Sequence, residues 1–523
     1  MKNLKTVIFA LGLVLPGLVP FVCPYLPFQD WPAHVGIVGA LTQLSEPEAR
    51  ILTHFKYMGW FKLNMFFYLP AWALGEVIGP IAAANLCLSV SLAALAPAVW
   101  LLCRALDADP RMALLATPLA LGHHVYYGFG PNAAALPMFV LVFALFFFVR
   151  RGIRPRACTL ALIGTLLALA FTHAFIFLAA AGLLGVLAVV DIIRPPRVAG
   201  WTALLGLVVS FGFFVLLFSQ GIGVVGHRSG EPVAAIWKAI LQAPRNRLGE
   251  TFWTWLFASH RQRELDDWMQ AAWSVVLVGA FALTLVFERK AWLRSGRAAL
   301  AGLALITLVT FVILPENIGQ PLNWWGARLR LPPLVALLLI PMLARPVGGR
   351  LKHAVSVGAA VSVLTVILAL VDLSIFYQTY ARGLNTVIPA MPRGQRISSL
   401  HFTPSAVKRY PGQPFGYFGN FYIAWRGGAV PQGFFGRAEV PFLQHKRLAA
   451  PPWGIAQGFK WRHHVRGYDG FLVHADDRRG LAPFRGHEDE VELVVKDGGW
   501  RYYRRVLSPP PSPPTPKAGG NSR

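Results

Sequence analysis

Asp30 and His34 stand in the run Asp30-Trp31-Pro32-Ala33-His34, just behind an apolar stretch at 7–22. On a helix, residues four apart are neighbours on one side. A carboxylate and an imidazole so placed can take a proton from a hydroxyl, or ligate a metal ion. The same Asp is also positioned to cap a helix. Pro32 suits a first helical turn, and a capping Asp contributes about 1 kcal/mol. The local residues fit both readings.

A second group lies further along. Glu316, Arg328 and Arg330 belong to the segment 315–330, which also holds Trp324 and Trp325. Guanidinium groups bind phosphate oxygens through paired hydrogen bonds, so Arg328 and Arg330 are candidates to hold an anionic substrate, with Glu316 placed to pair with one of them. The plainer alternative is a pair of arginines anchoring a helix end. The histidines form the third group: His123-His124 with Tyr126-Tyr127, and His173 in Phe171-Thr172-His173-Ala174. Ionisable groups at or inside membrane spans are functional candidates by default, although a His at a helix end also serves as a cap. The loop 220–269 holds Arg245, Arg247, Glu250, Asp266 and Asp267, and reads as a solvated loop with Trp253 and Trp255 against the bilayer.

The elements that must carry these residues are membrane helices. The 523 residues are 55% hydrophobic and 14% charged, with mean hydropathy +0.50. A soluble chain carries about 25% charged residues. The net charge of +25 has a membrane explanation in basic cytoplasmic loops facing anionic lipid. With no nucleic-acid motif in view, nucleic acid is set aside as a partner. Cys23, Cys87, Cys103 and Cys158 show neither the pairing nor the clustering that a disulfide framework or zinc site needs. Lys2 and Lys5 before an apolar run resemble a signal peptide, but Pro24, Tyr25 and Pro27 replace a cleavage site, so the run reads as an uncleaved first span.

Basic clusters at 104–111, 150–156, 194–197, 289–297 and 345–352 place those loops in the cytoplasm. The loops at 23–63, 220–269 and 315–330 then fall outside. Spans satisfying this alternation lie near 6–22, 82–103, 111–126, 132–149, 157–171, 174–192, 198–219, 270–287, 297–314, 330–344 and 354–377. These are about eleven membrane helices, with the N-terminus inside. The stretch 64–80 is apolar but holds Gly75, Glu76, Gly79 and Pro80, and suits a re-entrant or interfacial segment. A helix over 31–44 should present Val35, Val38, Leu41 and Leu44 to the membrane surface. From 378 the pattern changes to short strands at 396–402, 470–474 and 491–495, the last turning through Asp497-Gly498-Gly499 into 500–505, with a helix at 420–425 capped by Asn420. This region, 378–507, reads as a small α/β domain on the outer face. Residues 508–523 are a Pro-rich tail.

The first-loop carboxylate in DWPAH, the many short spans and the strand-like Tyr468-Asp469-Gly470-Phe471-Leu472-Val473-His474-Ala475 in a C-terminal outer domain together resemble the GT-C superfamily of membrane glycosyltransferases. The resemblance implies a protein of the cytoplasmic (inner) membrane, acting on a polyprenyl-phosphate-linked sugar. It implies transfer of that sugar to a lipid, glycan or protein acceptor outside the cytoplasm, with Asp30 as base or metal ligand. Many members carry a second acid in this loop. Here Glu46 and Glu48 lie beyond the helix, which leaves a divalent metal ion an open requirement. Two other classes remain: a lipid or solute transporter, which would carry mid-span charges and paired broken helices, and a non-enzymatic scaffold subunit of an envelope complex, in which Asp30 would be dispensable.

Overall fold

The computed structural model describes residues 2–193, 198–219, 263–294, 296–318, 325–342, 349–403, 407, 410, 412–435, 440–446 and 448–506. Most of the loop 220–269, with Arg245, Arg247, Glu250, Trp253 and Trp255, lies outside the described residues, as do Trp324 and the tail.

The chain opens with helix α1 (Lys2–Val14), which gives way at Leu15–Leu18 to a tighter turn containing Pro16. Helix α2 (Trp31–Thr42) follows in the first loop, then strand β1 (Phe55–Tyr57). Next come α3 (Met65–Ile78), α4 (Pro80–Ala105), α5 (Gly130–Arg150), α6 (Pro155–Thr172), α7 (Ala174–Ile193) and α8 (Val198–Ser219). Beyond the long loop stand α9 (Arg263–Arg294), α10 (Gly296–Ile313), α11 (Leu331–Leu339) and α12 (Gly349–Phe376). Among the described residues eight helices are long and apolar enough to cross a membrane: α4 to α10 and α12. The protein is therefore an integral membrane protein.

The count is below the expected eleven, for local reasons. Residues 111–126 do not form a span. Pro110, Pro118 and Gly122 divide the stretch into the short turns Pro110–Ala116, Pro118–Leu121 and His123–Tyr126. Proline lacks the N–H that an α-helix needs and clashes with the preceding turn. Irregular backbone is tolerated at membrane depth where protein covers it. Here Met112 to Leu121 are all buried, and Trp273 of α9 donates its indole N–H to the Leu115 carbonyl at 3.0 Å. The expected span 330–344 shortens to the nine residues of α11, which starts on Pro332 and Pro333 and runs into the turn Ile340–Met342. The first span is the 17-residue broken run Thr6–Val22, and α3 is likewise too short to cross unaided.

The C-terminal part contains α13 (Leu384–Ala390), α14 (Asn420–Arg426) and a four-stranded sheet. Its strands β2 (Ile397–His401), β4 (Gly470–His474), β5 (Val491–Asp497) and β6 (Trp500–Arg505) run in the order β2-β4-β6-β5. β2 and β4 are parallel, pairing Ile397 with Gly470, and the other neighbours are antiparallel. The sheet is fastened to the end of α12 by Trp500, whose Nε1 donates to Tyr380 O at 2.7 Å. Tyr410 adds a second tie, donating to Asp372 at 2.6 Å. Asn420 is not the cap of α14. Gly419 holds that position, and the buried Asn420 amide donates instead to Tyr417 O and Gln432 O at 2.8 and 2.9 Å.

The first loop does not lie on the membrane as an amphipathic surface helix. Every residue from Trp31 to Leu41 is buried, because α14 packs on α2 from one side and α3 and α4 from the others. Gly39 of α2 touches Ala424 so closely that any side chain there would overlap its Cα, and a Cβ at Gly36 would meet Asn420 Cβ at 2.9 Å. Gln43 donates to Ile423 O and Ala424 O at 2.9 and 3.0 Å. β1 of the same loop pairs antiparallel with β3 (Phe442–Gln444) of the C-terminal part, Phe55 opposite Gln444. The loop and the C-terminal domain are thus one packed unit.

Overpacking a close-packed contact costs about 1–3 kcal/mol. Gly39→Ala is expected to lower the melting temperature of the purified protein by several degrees. Gly164→Ala, at a position of α6 with open space around it, should not lower it. Fluorescence-monitored thermal unfolding in one detergent compares the two.

Candidate functional site

Asp30 sits at the N-cap position of α2 with φ −88° and ψ −11°, yet its side chain makes no capping hydrogen bond. The carboxylate accepts instead from Gln29 Nε2 at 3.2 Å, and only 7% of the residue is exposed. Its backbone is held from behind: Gln29 and Asp30 donate to the carbonyls of Tyr126 and Tyr127, both at 3.0 Å. Gly128 makes this possible. It adopts φ +80°, and a Cβ there would overlap the backbone nitrogens of Asp30 and Trp31. Only glycine takes that conformation without strain and lets two backbones approach so closely.

Gln29 also reaches the C-terminal domain, its side-chain oxygen accepting from Gln413 N at 2.9 Å. Trp31 Nε1 donates to Asn85 of α4 at 3.2 Å, and Asn85 in turn donates to Pro24 O at 3.0 Å. The loop is therefore clamped before and after the carboxylate. His34, one turn on, is hydrogen-bonded through Nδ1 to the hydroxyl of Tyr68 on α3. Its ring packs against Phe434 at 5.0 Å.

The second group meets this one through Tyr127. The Tyr127 hydroxyl lies within electrostatic reach of both Asp30 and Glu316. Glu316 pairs with Arg328 at 3.2 Å; the Arg328 side chain is 10% exposed and the Glu316 side chain 40%. Tyr127 also packs on His123, ring centroids 5.0 Å apart, and on Trp325 at 5.5 Å.

Arg330 stands at the N-terminal end of α11. Its guanidinium stands over the Phe129 ring at 4.8 Å and donates to Trp325 O at 2.9 Å. It acts electrostatically on both His124 and His173. His173, between α6 and α7, feels His34 as well. It also does the work of a cap, its Nδ1 accepting from Ile176 N at 3.3 Å. Both ring nitrogens of His124 are buried without a hydrogen-bond partner, as is Arg328 Nε.

Asp30, His34, His123, His124, His173, Glu316, Arg328 and Arg330 thus form one chain of neighbours, drawn from five separate stretches of sequence. Gln29, Tyr68 and Tyr127 complete it, and sequence reasoning passed over them. Tyr127 stood beside the named pair His123-His124, but its hinge role depends on the Gly128 turn. Gln29 and Tyr68 carry no signal in their own spacing. Among the described residues no group of three or more His, Cys, Asp or Glu is placed to hold a metal ion.

No protein-family model matches the chain, and no curated protein sequence matches it. Among solved structures it is similar to ArnT from Cupriavidus metallidurans in the apo state. The similarity spans 97% of this chain and 98% of that one, at 13% identity and a TM-score of 0.46.

Removing the acceptor of a half-buried, charged hydrogen bond leaves the buried Arg328 guanidinium without it, at a cost of about 1 kcal/mol where solvent still reaches the pair. Glu316→Ala is expected to destabilise the protein on that scale, and Glu316→Gln, which keeps an acceptor for Arg328, by less. Thermal unfolding of both variants checks the order.

Proposed function

We propose that this protein is a membrane glycosyltransferase of the GT-C kind, moving a sugar from a polyprenyl-phosphate carrier to an acceptor hydroxyl outside the cytoplasm. The observation that carries the reading is the gathering of one buried carboxylate, Asp30, with two guanidinium groups and several imidazoles around Tyr127. These come from the first loop, from helix ends and from the segment before α11. A transferase of this type needs a base and a cationic cradle a few ångströms apart at one end of the spans, because its donor cannot leave the bilayer.

The chemistry follows from those two parts. Asp30 accepts the proton of the acceptor hydroxyl, which must come within hydrogen-bond reach of it. The acceptor oxygen forms a bond to the sugar C1 as the bond from C1 to the carrier phosphate breaks. The leaving phosphate keeps the electron pair and gains negative charge, which Arg328 and Arg330 stabilise where water is excluded. The unpaired ring nitrogens of His124 and Nε of Arg328 are donors or acceptors that a bound sugar phosphate would satisfy, since buried polar groups are rarely left unpaired. Gln29 holds the Asp30 carboxylate in place, and His34, tied to Tyr68, supports the acceptor side.

The test is sugar transfer, or slow hydrolysis, from polyprenyl-phosphate sugars by the purified protein in lipid. Asp30→Asn should lower turnover about 10²–10⁴-fold, the contribution of a positioned base, with an unchanged melting temperature. Because the carboxylate is not a helix cap, α2 does not depend on its charge. A folded Asp30→Asn protein with wild-type turnover would remove the base from this account. No turnover by the wild type with any donor would favour a transporter or a scaffold subunit. Arg328→Ala should weaken donor binding about tenfold or more, the loss of a charge-assisted hydrogen bond, and change the rate constant less. Unchanged donor affinity would take the phosphate role away from Arg328.

A further inference from the structure

A second concentration of charge lies away from Asp30, where the β1–β3 ribbon meets the four-stranded sheet. A cavity of ≈ 710 Å³ opens there, lined by Arg50, His54, Arg396, Lys446, Arg504 and Arg505, with Asp469 as its single carboxylate. The cations come from the first loop, from the residues after β3, from the start of β2 and from the end of β6. No single stretch of sequence predicts the cluster.

Two of the five permanent charges are matched. Arg396 pairs with Asp469 at 2.9 Å, and Arg504 with Glu492 at 2.6 Å. Among the described residues Arg50, Lys446 and Arg505 have no acidic partner. Arg505 donates to Val465 O at 3.4 Å through Nη1, while its Nε is buried with no hydrogen-bond partner. Burial, with Arg396 and Arg50 adding to it, pushes His54 below its ordinary value.

The backbone is shaped around these side chains. Arg50 takes φ +50°, a left-handed conformation that is uncommon outside glycine and costs energy wherever it is held. Gly394, at φ +68°, leaves room for the Arg50 stem, since a Cβ there would meet Arg50 Cγ and Cδ at 3.0 Å. Arg50 and Lys446 are exposed at the rim and Arg505 is half-buried; like charges so gathered repel one another, and no carboxylate among the described residues offsets these three. A bound anion would.

We infer that this cavity is a binding site for a phosphate-bearing group, held by Arg50, Lys446 and Arg505, distinct from the Asp30 cluster and independent of the transfer reaction proposed for it. Guanidinium and ammonium groups together suit a phosphomonoester or a diphosphate. The volume is that of a small-molecule pocket rather than of one inorganic ion, so the phosphate arrives on a larger body. That body is either a membrane lipid headgroup or a soluble phosphorylated compound.

The probe is inorganic pyrophosphate, titrated calorimetrically into the full-length protein at low salt in nanodiscs of phosphatidylcholine. Saturable binding is expected, weakened at least tenfold in the Lys446→Gln/Arg505→Gln protein. Lys446→Gln alone, at an exposed position, should weaken it less and keeps the test open if the double variant melts early. Repeating the titration with phosphatidic acid in the nanodiscs separates the two sources. Suppressed pyrophosphate binding identifies a lipid headgroup as the occupant, and undiminished binding identifies a soluble phosphate compound. No binding by the wild-type protein in phosphatidylcholine, or equal binding by a folded double variant, would overturn the inference. Sugar transfer by the double variant should be as in the wild type, so the result stands apart from the fate of Asp30.

Discussion

The close approach of α2 to α14 is the constraint on which the rest of the structure depends. Helices with large side chains at their contact stand 8–10 Å apart. Here the two glycines Gly36 and Gly39 let α2 settle directly onto Asn420 and Ala424. The first loop consequently belongs to the C-terminal domain as much as to the membrane helices. Its strand β1 is completed by β3, and its end is tied by Glu46 to Arg393. A carboxylate on a loop of this length would ordinarily wander. Asp30 cannot, because the helix that begins at it is buried on all sides and its own backbone is bound to Tyr127.

The opposite wall is made by the segment that fails to be a helix. Its prolines and Gly122 prevent residues 110–127 from crossing as a regular span, and its turns are covered by α4, α9 and α12 instead. The broken backbone brings Tyr127 beside Asp30 and sets Arg330 against His124. Irregularity there is stabilised by burial on every side.

Much of this was legible in the residues. Apolar runs with basic ends placed seven of the eight long helices within a few residues of their observed limits, and α9 at its apolar core. Period-two patterns with the Asp497-Gly498-Gly499 turn located the strands of the main sheet. The candidate residues chosen for their chemistry lie together. Three things were hidden, each for a physical reason. The proline-broken stretch has the composition of a span, and hydropathy does not record a missing N–H. The apolar face of α2 suits a membrane surface and a protein neighbour equally well, and only the distant Ala424 decides between them. The strands β1 and β3 are three residues long; each is stable only against the other, nearly 400 residues away in sequence, so neither has a period to detect.

The chain's excess of positive charge has more than one cause. Basic loops facing anionic lipid account for part of it, and those residues lie at the ends of the spans. Arg328 and Arg330 stand instead in the candidate site, Arg328 beside Glu316 and Arg330 over Phe129, and Arg50, Lys446 and Arg505 gather where two separate parts of the chain meet. Concentrating cations inside a fold costs self-repulsion and desolvation, which a protein avoids by pairing each with a carboxylate. With 24 acidic residues against 49 basic ones, this chain cannot pair them all, and among the described residues Arg50, Lys446 and Arg505 have no acidic partner at the recess they line. A basic surface needs only lipid to explain it. Cations gathered in a recess without a carboxylate to offset them suit an anion of matching shape, and that is the arrangement of Arg50, Lys446 and Arg505.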